Sequence, residues 1–88
     1  MKKIEFNSNK NIIHARLKQI RLKKNISQSE LASKLQIYNI NIDQQMISKI
    51  EKNLRQVTDY ELVCICKCLD VPFELMLQDF DKYSESYE

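Results

Sequence analysis

The sequence predicts a small all-α protein, a bundle of five short helices, and three observations carry that prediction. The chain has 88 residues, no Gly and a single Pro, so it lacks the turn residues that many short strands require. Two Ser/Thr-x-x-Glu capping boxes mark helix starts. Between them, apolar side chains recur at helical rather than alternating spacing. At 43% hydrophobic and 30% charged, the chain is too apolar for disorder and large enough for one small core.

The elements follow in order. Residues 1–10 show no sustained period and read as a flexible N-terminal arm. Residues 11–78 form the folded unit. From Asn11 the pattern turns helical, with Ile13, Leu17, Ile20 and Lys24 on one stripe, and Asn25 is the usual substitute for Gly at a left-handed helix end. Ser27-Gln28-Ser29-Glu30 is a capping box opening a second helix, whose inward face is Leu31, Ala32 and Leu35. The stretch 36–42 breaks the period, and its Ile–Asn alternation is too short and partnerless for a strand, so it is a connecting turn. Asp43 caps a third helix, Gln44 to Lys52, with Ile47 and Ile50 inward and Asn53 at its end. Thr58-Asp59-Tyr60-Glu61 is the second box, and Leu62, Ile65, Cys66 and Leu69 fit one face of the fourth helix. Pro72 suits the first turn of a short fifth helix, Phe73–Leu77. Residues 79–88 read as a fraying acidic tail.

Several function classes are excluded by what these elements carry. The uncharged run 36–42 near the core is far short of the roughly 20 residues a membrane span needs, and the N-terminus does not read as a signal peptide. Cys64, Cys66 and Cys68 alternate along one helix, so they cannot close a tetrahedral metal site, and three closely spaced thiols argue against a disulfide framework. They read as packed thiols of a reducing cytoplasm. No Ser/His/Asp set, metal cluster or phosphate loop is present, and the single His14 reads as a helix-surface residue. No enzyme, cofactor or metal is expected.

Charge is polarised along the chain. Residues 1–27 carry eight Lys/Arg against one acid, 28–55 four against three, and 56–88 two against eight, within a total of +2. A basic end of this kind attracts polyanions. The third helix offers Gln44, Gln45, Ser48, Lys49 and Lys52 on its outer face. A glutamine amide matches the N6/N7 edge of adenine in the major groove, which a helix of this width enters. Gln28, at the first turn of the second helix, is placed to grip a phosphate, and Lys52 and Arg55 follow where the chain would pass the DNA backbone.

These residues, in this order, resemble a known family. Arg16-Leu-Lys-Gln-Ile-Arg21, Asn25-Ile-Ser-Gln-Ser-Glu-Leu-Ala32, Asp43-Gln-Gln-Met-Ile-Ser-Lys-Ile-Glu51 and Leu69-Asp-Val-Pro-Phe-Glu-Leu75 are similar to the Xre/Cro/lambdoid-repressor helix-turn-helix family. The resemblance covers about Arg16–Leu77, with the helix-turn-helix at 28–52. It implies a lambda-repressor-like five-helix bundle, no cofactor, and a cytoplasmic, nucleoid-associated regulator, a repressor by the resemblance, that binds double-stranded operator DNA as a homodimer. Gln44, Gln45 and Lys49 would read bases, and Gln28, Ser48, Lys52, Arg55 and Asn41 would touch phosphates. Arg21 and Glu51 would form an internal salt bridge. The turn between helices two and three is about five residues longer than the family's usual one, which adds Tyr38, Asn39 and Asn41 as candidate backbone contacts. Phe73, Met76, Leu77 and Phe80 are candidates for the dimer seam, each equally suited to the core. The alternative is an antitoxin or other protein-interaction module, with the acidic tail and its Tyr83 and Tyr87 docking on a protein partner.

Overall fold

The computed structural model describes residues 5–84. The first four residues of the expected arm and residues 85–88 of the expected tail, with Tyr87, lie outside the described residues. Six α-helices are present among the described residues: α1 (His14–Lys23), α2 (Gln28–Gln36), α3 (Gln44–Glu51), α4 (Asp59–Leu69), α5 (Phe73–Met76) and α6 (Phe80–Ser84).

Local chemistry sets the helix starts. Ser27 accepts from the Glu30 amide while the Glu30 carboxylate receives the Ser27 amide, and Thr58 and Glu61 repeat this at α4. At α3 the Asp43 carboxylate accepts from the Met46 amide at 2.8 Å. Each cap supplies partners for amides that an α-helix leaves open at its start. Helix ends fall where the chain turns left-handed without glycine: Asn25 (φ 59°), Asn39 (φ 60°), Asn53 (φ 63°) and Asp70 (φ 56°). Asn and Asp tolerate this region best among residues with a Cβ.

Between these caps the apolar faces converge on one core. Leu17 and Ile20 of α1, Leu31 and Leu35 of α2, Ile47 and Ile50 of α3, Ile65 and Leu69 of α4 and Met76 of α5 are all buried. Met76 is therefore core and not part of an exposed seam. Ile42 is buried too, and it anchors the long α2–α3 connection while Ile37 and Tyr38 stay exposed. Cys66 is fully enclosed and Cys64 and Cys68 are half-buried, all three as free thiols. Burial pushes the Cys66 thiol up to about 11, so it stays protonated and packs as a small apolar group.

The chain ends differ from their sequence reading. Phe6 to Asn9 close a tight turn through reciprocal backbone bonds of 2.8 and 2.9 Å. The Phe6 ring stacks on Phe80 with centroids 5.4 Å apart, and the Asn7 amide donates to the Tyr83 carbonyl. Arg16 makes two bonds to the Asp79 carboxylate, at 2.8 and 3.3 Å. His14 is half-buried beneath Tyr83, its Nε2 3.2 Å from Asn9 Oδ1, rather than free on a helix surface. The contacts of this segment and of Arg16 with Asp79, Phe80 and Tyr83 join residues 63 to 76 positions apart in sequence, beyond the reach of any local pattern.

The left-handed positions are not equivalent. The Asn53 side chain bonds to Lys10, Asn11 and Asn9, whereas at Asp70 the backbone is what the helix end requires. Asp70→Gly is expected to raise unfolding stability by ~0.5–1 kcal/mol by relieving the αL cost. Asn53→Gly is expected to lower it by ~1–3 kcal/mol through the lost hydrogen bonds. Urea titrations of both variants measure the contrast.

Candidate nucleic-acid interface

An exposed row on α3 begins immediately after its Asp43 cap. With about 100° between successive residues, Gln45, Lys49 and Lys52 lie along one line, and Gln44 and Ser48 lie along a second line to one side. Gln44, Gln45, Lys49 and Lys52 are exposed and Ser48 is half-buried, while Ile47 and Ile50 on the opposite face are fully buried. The core grips one side of α3 and leaves the polar side and the N-terminal turn free.

The orientation of α3 is fixed by a polar network at its other end. Arg21 of α1 donates from Nε to Glu51 Oε2 at 2.7 Å and from a terminal nitrogen to Oε1 at 3.1 Å. Its remaining terminal nitrogen donates to the Ile26 carbonyl at 2.9 Å. Gln28 donates its side-chain amide to Glu51 Oε1 at 3.0 Å. The side chains of Arg21 and Glu51 are only 8% and 4% exposed. One carboxylate thus ties together α1, the start of α2 and the end of α3. The Gln28 amide donor that the sequence assigns to phosphate is engaged inside the protein, at the edge of this network.

A second tie holds the same C-terminal end of α3. Asn11 is buried and donates to the carbonyls of Ile50 and Arg55, at 3.0 and 2.9 Å, while its own oxygen accepts from the Ile13 amide. Asn53 accepts from the amides of Lys10 and Asn11 and donates to Asn9. Sequence reasoning assigned neither residue this work. The only signal was an Asn at each helix boundary, which a cap explains equally well.

The basic residues divide by type. All three arginines are engaged within the protein: Arg16 with Asp79, Arg21 with Glu51, and Arg55 with Glu61 through two 3.0 Å bonds. Arg55, expected at a phosphate, instead braces the α3–α4 connection and also donates to the Gln56 carbonyl. Lys49 and Lys52 remain exposed beside the α3 row, and Asn41, Asn39 and Tyr38 are exposed on the α2–α3 connection. No group of three or more metal-ligating side chains occurs among the described residues, and no helix among them is long and apolar enough to cross a membrane.

Burial alone would raise the Glu61 carboxyl, but hydrogen bonds from Arg55 and the Thr58 amide outweigh it and hold the group below its ordinary value.

The chain matches the family described as helix-turn-helix over residues 17–76. Among solved structures it is similar to the wild-type restriction-modification controller protein C.Esp1396I, at 32% identity and a TM-score of 0.68, covering 93% of this chain and 97% of that one. It is also similar to that controller protein as a tetramer in complex with its natural 35 base-pair operator, at 32% identity and a TM-score of 0.67, covering 92% and 97%. No curated protein matches.

Two outcomes follow from the ion pairs. Glu51→Ala strands the Arg21 guanidinium in a nearly closed site and is expected to cost about 3–5 kcal/mol of stability in chemical denaturation. Because Glu61 titrates lower in the folded chain than in the unfolded one, its stabilisation is full above the ordinary glutamate value of 4.5 and is lost as pH falls through the folded value. Melting temperatures taken between pH 7 and 3 are expected to fall less steeply for Glu61→Gln than for the parent.

Proposed function

The chain belongs to the helix-turn-helix family, in its Xre and lambda-repressor-like branch, and is a DNA-binding transcription regulator; we propose that it reads a palindromic operator by seating α3 in the major groove. The observation that carries this reading is the free N-terminal turn of α3, with Gln44 and Gln45 exposed on a helix whose other face is locked in the core. Each glutamine pairs with an adenine edge, a contact worth about 1–3 kcal/mol of discrimination. Lys49 reaches a further base one turn later.

Affinity comes from the phosphate contacts of Lys52, Ser48 and Asn41 and from the open amides at the start of α2 beside Gln28. Arg55 serves this surface indirectly, by bracing the connection that follows α3. With every described arginine engaged inside the protein, guanine readout by a bidentate arginine is absent from this scheme, and adenine-rich half-sites are favoured. The protein acts in the cytoplasm on the nucleoid, without a cofactor and without catalysis, and represses by occupying promoter DNA. The controller protein it resembles binds its operator as a tetramer; here a homodimer supplies two copies of α3 about one helical turn apart.

The test is fluorescence anisotropy on the duplex upstream of the protein's own gene, with a scrambled duplex as competitor, at two salt concentrations. The natural duplex is expected to win by about a thousandfold or more. Gln44→Ala or Gln45→Ala each cuts that preference by about 10–100-fold. Lys52→Ala weakens both duplexes alike and lowers the salt slope by about one. Equal binding of the two duplexes by the parent protein overturns the reading.

A further inference from the structure

Helix α3 carries three apolar side chains, Met46, Ile47 and Ile50. Ile47 and Ile50 are fully buried, whereas Met46 packs against the rim of the core and stays half-buried. It is the third residue of the helix, in the turn that the Asp43 cap fixes through the Met46 amide itself. We propose that Met46 is a specificity-determining residue of the operator contact, its thioether side chain packing on the C5-methyl groups of thymines in each half-site. This inference rests on the operator reading above and adds to it a chemistry that the glutamines lack.

The placement of Met46 on the helix points it at the wall of the groove. At about 100° per residue, it falls between the exposed line of Gln45 and Lys49 and the enclosed face of Ile47 and Ile50, on the opposite side of Gln45 from Gln44. A helix with its side chains is about 10–12 Å across and the major groove about 12 Å wide, so a residue on the flank of an inserted helix meets the groove wall. The Cα–Cβ bonds of a helix also tilt toward its start, which leans Met46 toward the end that enters the DNA.

The chemistry of that wall follows from the residues beside it. Gln44 and Gln45 match adenine edges, and all three arginines are engaged with Asp79, Glu51 and Glu61, so no guanidinium fork is left for guanine. Every adenine of a duplex faces a thymine, and that thymine presents its methyl in the same major groove. An adenine-rich half-site is therefore lined with methyl groups. The first turn of α3 brings one apolar side chain to them, and methionine, unbranched and polarizable, adapts to such an irregular surface.

Deoxyuridine isolates this contact, because it pairs as thymine does and lacks only the C5-methyl. Fluorescence anisotropy of the full chain compares the duplex upstream of its own gene with the same duplex carrying deoxyuridine for thymine. The parent is expected to bind the deoxyuridine duplex more weakly, by about fourfold for each methyl that Met46 covers. Met46→Ala is expected to bind the two duplexes alike, and Met46→Leu, which keeps an apolar end, to retain the difference. Exchanging one thymine at a time is expected to localise the loss to one or two neighbouring positions in each half-site. Circular dichroism checks the fold, and if Met46→Ala is unfolded, Met46→Gln, unbranched but polar at its end, takes its place with the same expected indifference to the methyl.

A Met46 that serves the core alone changes the affinity of both duplexes by one factor and leaves the preference for thymine as it is in the parent; that result overturns the proposal. So does a parent that binds the two duplexes equally. Competition by the scrambled duplex keeps the two readings apart. A parent that prefers its natural duplex but ignores the methyls removes the assignment of Met46 and leaves the operator reading standing, whereas a parent without that preference removes both.

Discussion

The Glu51 carboxylate is the group on which the geometry of this protein depends. It accepts from Arg21 of α1 and from Gln28 at the start of α2 while itself ending α3. A helix-turn-helix works only if its two helices hold one fixed relation, because the first crosses the DNA backbone while the second enters the groove. In most such domains a short turn enforces that relation. Here seven residues, 37–43, separate α2 from α3, and a connection of that length constrains little by itself. The connection is anchored by Ile42 in the core, and the nearly closed Arg21–Glu51 pair, with its desolvation offset by full hydrogen bonding, adds a direct tie between the helices. Its contribution is positional: removing it leaves a core that still buries Ile47 and Ile50 but no longer dictates the angle at which Gln44 and Gln45 are presented.

The residues just beyond Glu51 show side chains supplementing the backbone in the same way. A glycine would satisfy the left-handed turn at position 53 more cheaply. Asn53 accepts a conformational cost and returns three hydrogen bonds that reach the N-terminal segment. Asn11 closes the arrangement by donating to two carbonyls, Ile50 in the last turn of α3 and Arg55 in the connection that follows. A chain without glycine has thus made this helix end into an attachment point, and α3 is held at its C-terminal end by groups distant in sequence while its N-terminal turn is left to the Asp43 cap.

What was legible in the sequence, and what was not, divides along that line of sequence distance. The starts of α2, α3 and α4 could be read residue by residue because a cap spans three positions and its chemistry is complete within them. The core could be read because its period is local. The left-handed end at Asn25 and the helix end at Asn53 were readable as such, yet the bonds made by Asn53 were not. The α6 helix and the ordering of Phe6–Lys10 were not legible at all, since each depends on the other across most of the chain. Read alone, Phe6-Asn-Ser-Asn-Lys10 has no period, and Phe80-Asp-Lys-Tyr-Ser84 is too short to be a stable helix in water. Each becomes structure only through the Phe6–Phe80 stack and the bonds around it.

The same distance argument revises what the charge of the chain means. Counted by segment, the first 27 residues look like a basic face, but two of their eight cations, Arg16 and Arg21, face Asp79 and Glu51. Arginine is the residue that makes planar, two-pronged bonds to carboxylates, and each arginine of this chain makes such a pair in the described structure. The ammonium groups of lysine are strongly hydrated point charges on flexible stems, suited to a diffuse phosphate field rather than to a fixed partner. Guanidinium is thus the structural cation here and lysine the surface one, and the division follows from geometry: a fork must be matched atom to atom, while a phosphate backbone asks only for positive charge nearby. A net charge near zero therefore coexists with exposed positive charge at α3, because the acids of the second half pair with the arginines by contact while Lys49 and Lys52 stay exposed.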